Sequence, residues 1–453
     1  MVVIRRRLIF WLIKAYIKKS GKIMVISFLL GLLIFFSFLF GSRYFNRVFP
    51  VYKKVSIGLV GAYTKDNLPP LITNKFSRGL TKVANDGSVK PDLAKSWEIK
   101  DKGKTYVFHL KQNEYFSDGN AITADAISYN FSDVTITRPD KYTITFTIKD
   151  AFAPFLTTVS RGVFEKGFVG VGDYRIEDIK LNGNFVQSLT IASVKNKFDT
   201  IRFQFYPTEE ALKLAFLLGE VSEAHGLINA TYKDTSFAKF PNTKVTQTAN
   251  YSRLITLFYQ TTDSTLSDKK ARIALSYALP DIYPNGKKAY LPYSPESLFY
   301  NTDSIDKKQD YEHAKLLLAA SSTASNSATI ATLTIKTLKQ YRATADAVAA
   351  SWKNIGIQTT IEEVDGLPDH FQVFLGDFII PKDPDQYTLW HSEQNNNITR
   401  YKNLRIDKLL EDGRKTVDLD ERKTIYMDFQ KYLLEDVPAS FLYFPYEYEV
   451  VRK

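Results

Sequence analysis

Residues 90–97 (KPDLAKSW), 104–110 (KTYVFHL) and 116–129 (FSDGNAITADAISY) carry the pattern on which the fold reading turns. Tyr106, Phe108 and Leu110 alternate with Val107, His109 and Lys111, the period of a half-buried strand. Asn85-Asp86-Gly87 and Asp118-Gly119 supply residues that tolerate tight-turn backbone angles, which predicts a hairpin. Thr123 is placed to cap a short helix over 124–131, and 142–148 (YTITFTI) is β-branched and aromatic, as a strand requires.

Outward from this stretch the chain reads as mixed α/β with no internal repeat. A first strand is expected over 55–62, and further strands over 254–259, 331–338, 358–362 and 371–375. Helical spacing of apolar residues marks 209–218, which ends at Gly219, and then 268–279, 311–320, 342–355 and 421–435. Residues 321–327 (SSTASNS) read as a surface loop.

With 453 residues, 44% of them hydrophobic, the chain can bury more than one core. Its net charge of +11 is concentrated at one end. Eleven of the 60 Lys and Arg side chains lie in residues 1–54, where there is no Asp or Glu, leaving 49 basic residues against 49 acidic ones beyond. No basic footprint for nucleic acid remains in the larger part. Residues 23–40 (IMVISFLLGLLIFFSFLF) hold no charge and as a helix span about 27 Å, close to the thickness of a bilayer's hydrocarbon core. Basic residues crowd the N-terminal side, so the positive-inside rule places 1–22 in the cytoplasm as a basic tail. The expectations are a single-pass anchor over 23–41 in the cell membrane, a juxtamembrane stalk over 42–54 and an extracytoplasmic domain from residue 55. The chain has no cysteine, so a lipidated Cys, a disulfide and a thiolate metal site are excluded.

Catalytic signatures are missing. The histidines His109, His225, His313, His370 and His391 form no metal-binding pair at helical spacing, and there is neither a G-x-S-x-G elbow nor a P-loop. Gly167, Gly170 and Gly172 resemble part of a nucleotide loop, but a strand-like segment follows where a phosphate site needs a helix. The pairs Glu209-Glu210, Glu362-Glu363 and Asp383-Asp385 are read as solvated or capping carboxylates. Neither enzyme activity nor a metal or other cofactor is expected.

The opening stretch resembles the first signature of the family 5 extracellular solute-binding proteins, the oligopeptide-, dipeptide- and nickel-binding components of ABC importers. The resemblance continues in order through 170–174 (GVGDY), 207–221 (PTEEALKLAFLLGEV), 266–279 (LSDKKARIALSYAL), 311–318, 354–358 (NIGIQ) and 422–443, with Asp436-Val437-Pro438 inside the last. It implies a two-lobed, type II periplasmic-binding-protein-like α/β fold with a hinged cleft: lobe I over 55–235 with a subdomain inserted at about 81–167, lobe II over 236–424, and 425–453 returning to lobe I. The implied function is to trap a peptide or other small polar ligand by lobe closure and present it to importer permease subunits. A sensor or assembly partner derived from the same family is the alternative. The cleft residues proposed on this basis are Tyr63, Tyr259, Asp377, Phe378, Tyr387 and Trp390.

Three segments are short for the family: 131–142, 158–167 and 281–290. In peptide-binding relatives a Trp and an Asp stand seven and four residues before the proline of an Asp-Pro pair, and the Asp pairs with the peptide's α-ammonium. Counting back from Pro384 in 371–387 (FQVFLGDFIIPKDPDQY) puts Asp377 and Ile380 there. The resemblance therefore leaves the amine anchor open.

Overall fold

The structure is a computed structural model that describes residues 6–48, 54–165, 167–304, 308–321 and 332–453. Most of the 321–327 loop, the end of the expected stalk and the first five residues of the tail lie outside the described residues. An N-terminal helix spans Arg6–Val48, so tail, apolar segment and the start of the expected stalk form one continuous element. Within it Lys14–Ser37 is long and apolar enough to cross a membrane, and Phe28, Leu29, Leu33 and Phe35 are exposed.

The body is built on a sheet that runs through two lobes. In lobe I, Lys54–Val60 pairs in parallel with Glu223–Leu227, and Thr200–Tyr206, Phe185–Ser193 and Tyr174–Asn182 continue outward to the edge. In lobe II, Thr332–Leu338 lies parallel to both Gln358–Val364 and Val373–Ile379, and Val373–Ile379 is antiparallel to Arg253–Tyr259. Between Val83 and Phe155 a four-stranded antiparallel sheet (Ala94–Lys100, Thr105–Leu110, Thr143–Ile148, Val134–Asp140) buries Tyr106, Phe108, Ile144 and Phe146.

One strand, Ala439–Arg452, belongs to both lobes. Its first part pairs with Arg253–Tyr259 and Gly286–Lys288, and Tyr446–Arg452 pairs with Thr243–Ala249. The change of partners falls at Pro445/Tyr446, within the segment 425–453. Helix Leu419–Asp436 remains in lobe II, where Tyr426, Phe429 and Leu433 fill the core. The other crossing is the turn Asn250–Ser252 between Thr243–Ala249 and Arg253–Tyr259.

Two arginines set this geometry. Arg272, on helix Lys269–Tyr277, donates to the carbonyls of Leu266, Ser267, Asp436 and Val437 at 2.7–3.0 Å. It thereby caps the C-terminal end of the helix leading into the shared strand, where Val437 turns left-handed at φ 47°. Its guanidinium pKa is lowered by burial. Arg422 makes a buried bidentate pair with Asp383, at 2.6 and 3.0 Å, and donates to Gly413 O.

Two local expectations fail. The helix over 124–131 is a single 3₁₀ turn, Ala124–Ala126, because Arg138 takes the carbonyls of Ala124 and Ile127 at 2.8 and 2.9 Å. The interval before residue 142 holds the strand Val134–Asp140, which pairs with Thr143–Ile148. Apolar residues alternate with threonine over 134–137, the period of a strand, which a reading of 131–142 as a short link passes over.

Asp383→Ala leaves Arg422 as an unpaired buried charge and is expected to destabilise the body by about 3–5 kcal/mol. Lys408→Ala, which removes an exposed pair with Asp412, is expected to cost under about 0.5 kcal/mol. Urea unfolding of the two variants measures the contrast.

Candidate functional site

In open α/β sheets ligands collect outside the carboxyl ends of the parallel strands. In lobe II those ends are Leu338, Val364 and Ile379. A cavity of about 230 Å³ lies there, bounded by Phe258, Leu338, Leu367, Phe374, Phe378 and Trp390, with Asp377, Asn396 and Thr399 among its polar neighbours. Strand alternation explains the lining. Phe374 and Phe378 are four residues apart on one face of Val373–Ile379, and Phe258 from the neighbouring strand has its ring 6.3 Å from each. Trp390 is 2% exposed, and its indole N–H donates to Gln386 Oε1 at 2.9 Å, so the ring reaches the cavity with its only donor satisfied.

Asp377 faces the other way. It accepts from Tyr341 Oη at 2.7 Å and stands 3.3 Å from Arg253 Nε. The Tyr341 hydroxyl pKa is raised, first by burial and then by the neighbouring Asp377 charge, so it remains a donor throughout the ordinary pH range. The carboxylate is neutralised and held before any ligand arrives.

A larger cavity, about 510 Å³, lies where the strands cross, with Asn85 of the inserted subdomain, Thr248, Asn250, Glu296, Lys382 and Glu447 on its walls. Ile380, at the position that the resemblance assigns to an amine-binding Asp, also lines it and is 6% exposed. The carboxylates here are Glu296 and Glu447, and Glu447 already accepts from Asn250 Nδ2. Nothing in the local sequence marks this cavity, because its walls come from segments more than 300 residues apart.

The remaining expected site residues lie elsewhere. Tyr63 follows the carboxyl end of Lys54–Val60 in lobe I, with its ring 5.1 Å from Phe205 and its hydroxyl donating to Val60 O at 3.2 Å. Gly61 (φ 131°) permits this fold-back, since a Cβ there would stand 2.8 Å from the Tyr63 ring. Tyr387 stacks on His391 and under Arg414, whose guanidinium is 4.1 Å from its ring, and Arg414 in turn reaches Phe152 of the inserted sheet. Tyr259 is a correction: it is fully buried, with its hydroxyl 2.9 Å from Ser440 Oγ. It alternates with Phe258 onto the face covered by the helices Lys269–Tyr277 and Arg342–Lys353, and so belongs to the core.

Several sequence features have structural roles. Gly170 and Gly172 lie against helix Pro70–Phe76, where a Cβ would come within 2.2 Å of Phe76 O and 2.5 Å of Lys75 O. Glu209 accepts from the backbone of Ile228 and Asn229 and pairs with Lys213 at 2.6 Å. A search at helical spacing misses His225, which stands 2.9 Å from Glu223 on its own strand and 3.3 Å from Glu449 across the ladder. These three groups lie within 4.8 Å of one another, with His225 in contact with both carboxylates.

Residues 88–399 match the sequence model for the middle region of bacterial extracellular solute-binding proteins, family 5. The oligopeptide-binding protein AppA of Bacillus subtilis is 24% identical over an alignment covering 94% of each chain. The crystal structure of that AppA in complex with a nonapeptide superposes with a TM-score of 0.66 at 21% identity, covering 88% of this chain and 95% of that one. NikZ from Campylobacter jejuni, solved with Ni(L-His), superposes with a TM-score of 0.70 at 20% identity, covering 89% and 94%. These neighbours share the two-lobed type II periplasmic-binding-protein fold. Ordered motifs, two lobes joined by two strand crossings, and a match across more than two thirds of the sequence place the chain in one family: it belongs to the bacterial extracellular solute-binding proteins of family 5.

Proposed function

We propose that this chain is the solute-binding component of an ABC importer, tethered to the outer face of the cell membrane by its N-terminal helix, and that it traps a peptide or similar polar ligand between its lobes. Members of the family bind solutes and are not enzymes. The observation that carries the reading is the pair of strand crossings, at Asn250–Ser252 and at Pro445/Tyr446. Two adjacent extended segments bend easily about an axis through both of them and resist other motions. A ligand touching both lobes then favours the closed form by the contacts that only this form supplies.

Tethering is supported by the uncharged run 23–40, most of which lies in the apolar helical stretch Lys14–Ser37, and by the concentration of the basic excess before and around it, which leaves residues 1–22 as the cytoplasmic tail. Because the chain has no cysteine, single introduced thiols report topology cleanly. Ser132→Cys is expected to react with a membrane-impermeant maleimide on intact cells, and Ser20→Cys only after permeabilisation. Loss of residue 20 from the mature protein would show a cleaved leader instead.

Ligand binding is checked by mass spectrometry of small molecules retained by the purified full chain, together with thermal denaturation against a peptide library. A true ligand at one hundred times its Kd is expected to add about 2.7 kcal/mol and raise the melting temperature by several degrees. Recovery of permease subunits with the full chain from native membranes supports import, whereas recovery of other membrane proteins without them favours a sensor or assembly partner. Tyr259→Phe is expected to cost about 1 kcal/mol of stability through the lost bond to Ser440, leaving ligand affinity unchanged.

A further inference from the structure

We infer that the lobe II cavity selects the ligand: it takes one bulky apolar group, an aromatic or branched aliphatic side chain, and accepts no charged group. This deepens the reading of the chain as a solute-binding protein and rests on it.

Three observations carry the inference. The first is size. A cavity of about 150 Å³ lined by apolar side chains holds a benzene ring, so about 230 Å³ accommodates a phenyl or isobutyl group and leaves room for the Cβ that joins it to a backbone. The second is lining. Phe258, Leu338, Leu367, Phe374, Phe378 and Trp390 offer carbon surface, and the one N–H among their side chains is already committed to Gln386. The third is charge. Asp377 is the carboxylate among the lining residues, and it is held by Arg253 and Tyr341. The carboxylate is turned from the aromatic face and its charge is matched by Arg253, so neither an incoming ammonium nor an incoming carboxylate finds a free counter-charge in the cavity. Either would lose its hydration without gaining a partner.

The position fits a ligand group better than a packing defect. Leu367 lies in the loop after Gln358–Val364 and is 57% exposed, so the cavity is bounded on one side by a surface residue. It stands at the carboxyl ends of the parallel strands, where a bound molecule would be reached from the opposing lobe. Asn396 and Thr399 at its margin leave polar groups for the backbone of a peptide-like ligand.

The test uses the full chain in nanodiscs and a set of pentapeptides, free and N-acetylated, identical except for one position carrying Phe, Leu, Ser, Asp or Lys in turn. That position is moved along the peptide in successive sets, and Kd is measured by isothermal titration. In at least one set, Phe or Leu is expected to bind ten times or more tighter than Ser, with Asp and Lys weaker still. Leu367→Asp is expected to remove at least tenfold of that preference with an unchanged melting temperature of the free protein, because the residue lies at the exposed rim. Leu316→Asp, at an exposed leucine on helix Tyr311–Ala319 that does not line the cavity, is expected to retain it. Peptides that bind with equal affinity whatever that side chain, or a preference that survives Leu367→Asp, would overturn the inference and leave the solute-binding reading standing. Failure of every peptide to bind, with no small molecule retained on purification, would overturn both.

Discussion

The backbone of the last strand has to satisfy its hydrogen bonds in two lobes at once, and much of the body follows from that requirement. Ala439–Tyr443 pairs with the antiparallel run Ile255–Phe258, and Tyr446–Arg452 pairs with Thr243–Ala249. Between the two sets of partners stands Pro445, the one residue type with no N–H to leave unpaired. Its carbonyl is used, accepting from Asn250 N at 2.8 Å in the other crossing segment. Gly286 lies opposite it, where a Cβ would come within 2.1 Å of the Tyr443 ring. The ladder therefore changes partners at a place where the change leaves no buried donor unpaired.

Much of what is recognisable in the sequence serves to deliver this strand. Arg272 in the SDKKARIAL helix gathers four carbonyls, two of them from Asp436 and Val437 immediately before the strand. Asp436 itself is held by Lys269, Tyr401 and Asn403. The aspartate of Asp383-Pro384, read from the sequence as solvated or capping, is instead buried and anchors Arg422 at the other end of the same long helix. The glycines of GVGDY admit helix Pro70–Phe76 against the lobe I sheet. These motifs read clearly because each solves a local steric or hydrogen-bonding problem with one residue type that cannot be exchanged.

The same logic explains what was not legible. Helix Glu209–Leu218, with Thr208 as its cap and Gly219 at φ 83°, is visible because capping, periodicity and termination are all encoded within twelve residues. The strand Thr243–Ala249 is half exposed and polar, and its strand character comes from the distant segment Tyr446–Arg452, whereas Val134–Asp140 is one arm of a local hairpin whose apolar–threonine alternation covers only residues 134–137. The residue type of Tyr259 suits a ligand cleft, while its face of the sheet is decided by register, and a shift of one position turns a wall residue into a core residue. Asp377, Phe378 and Trp390 cluster at one end of lobe II, yet only the three-dimensional pairing with Arg253 and Tyr341 shows that Asp377 contributes a fixed neutral pair and not a free charge. The hinge cavity has no linear signature at all.

A last distinction concerns where selectivity and closure arise. A group seated wholly within lobe II makes the same contacts whether the lobes are apart or together, so it contributes affinity without shifting the equilibrium between the two forms. On the proposed function closure has to draw on atoms that also reach lobe I, where Tyr63, at the carboxyl end of that lobe's first strand, is the proposed contact. Its ring is braced by Phe205 and its hydroxyl is tied to Val60 O, so little conformational entropy is lost when a ligand meets it. On the proposed function, the apolar pocket would set which ligand is taken and the polar remainder of that ligand would set how far the lobes close. The absence of a free carboxylate at Ile380 is compatible with this division, because orientation would come from the buried apolar end and no buried ammonium would be required.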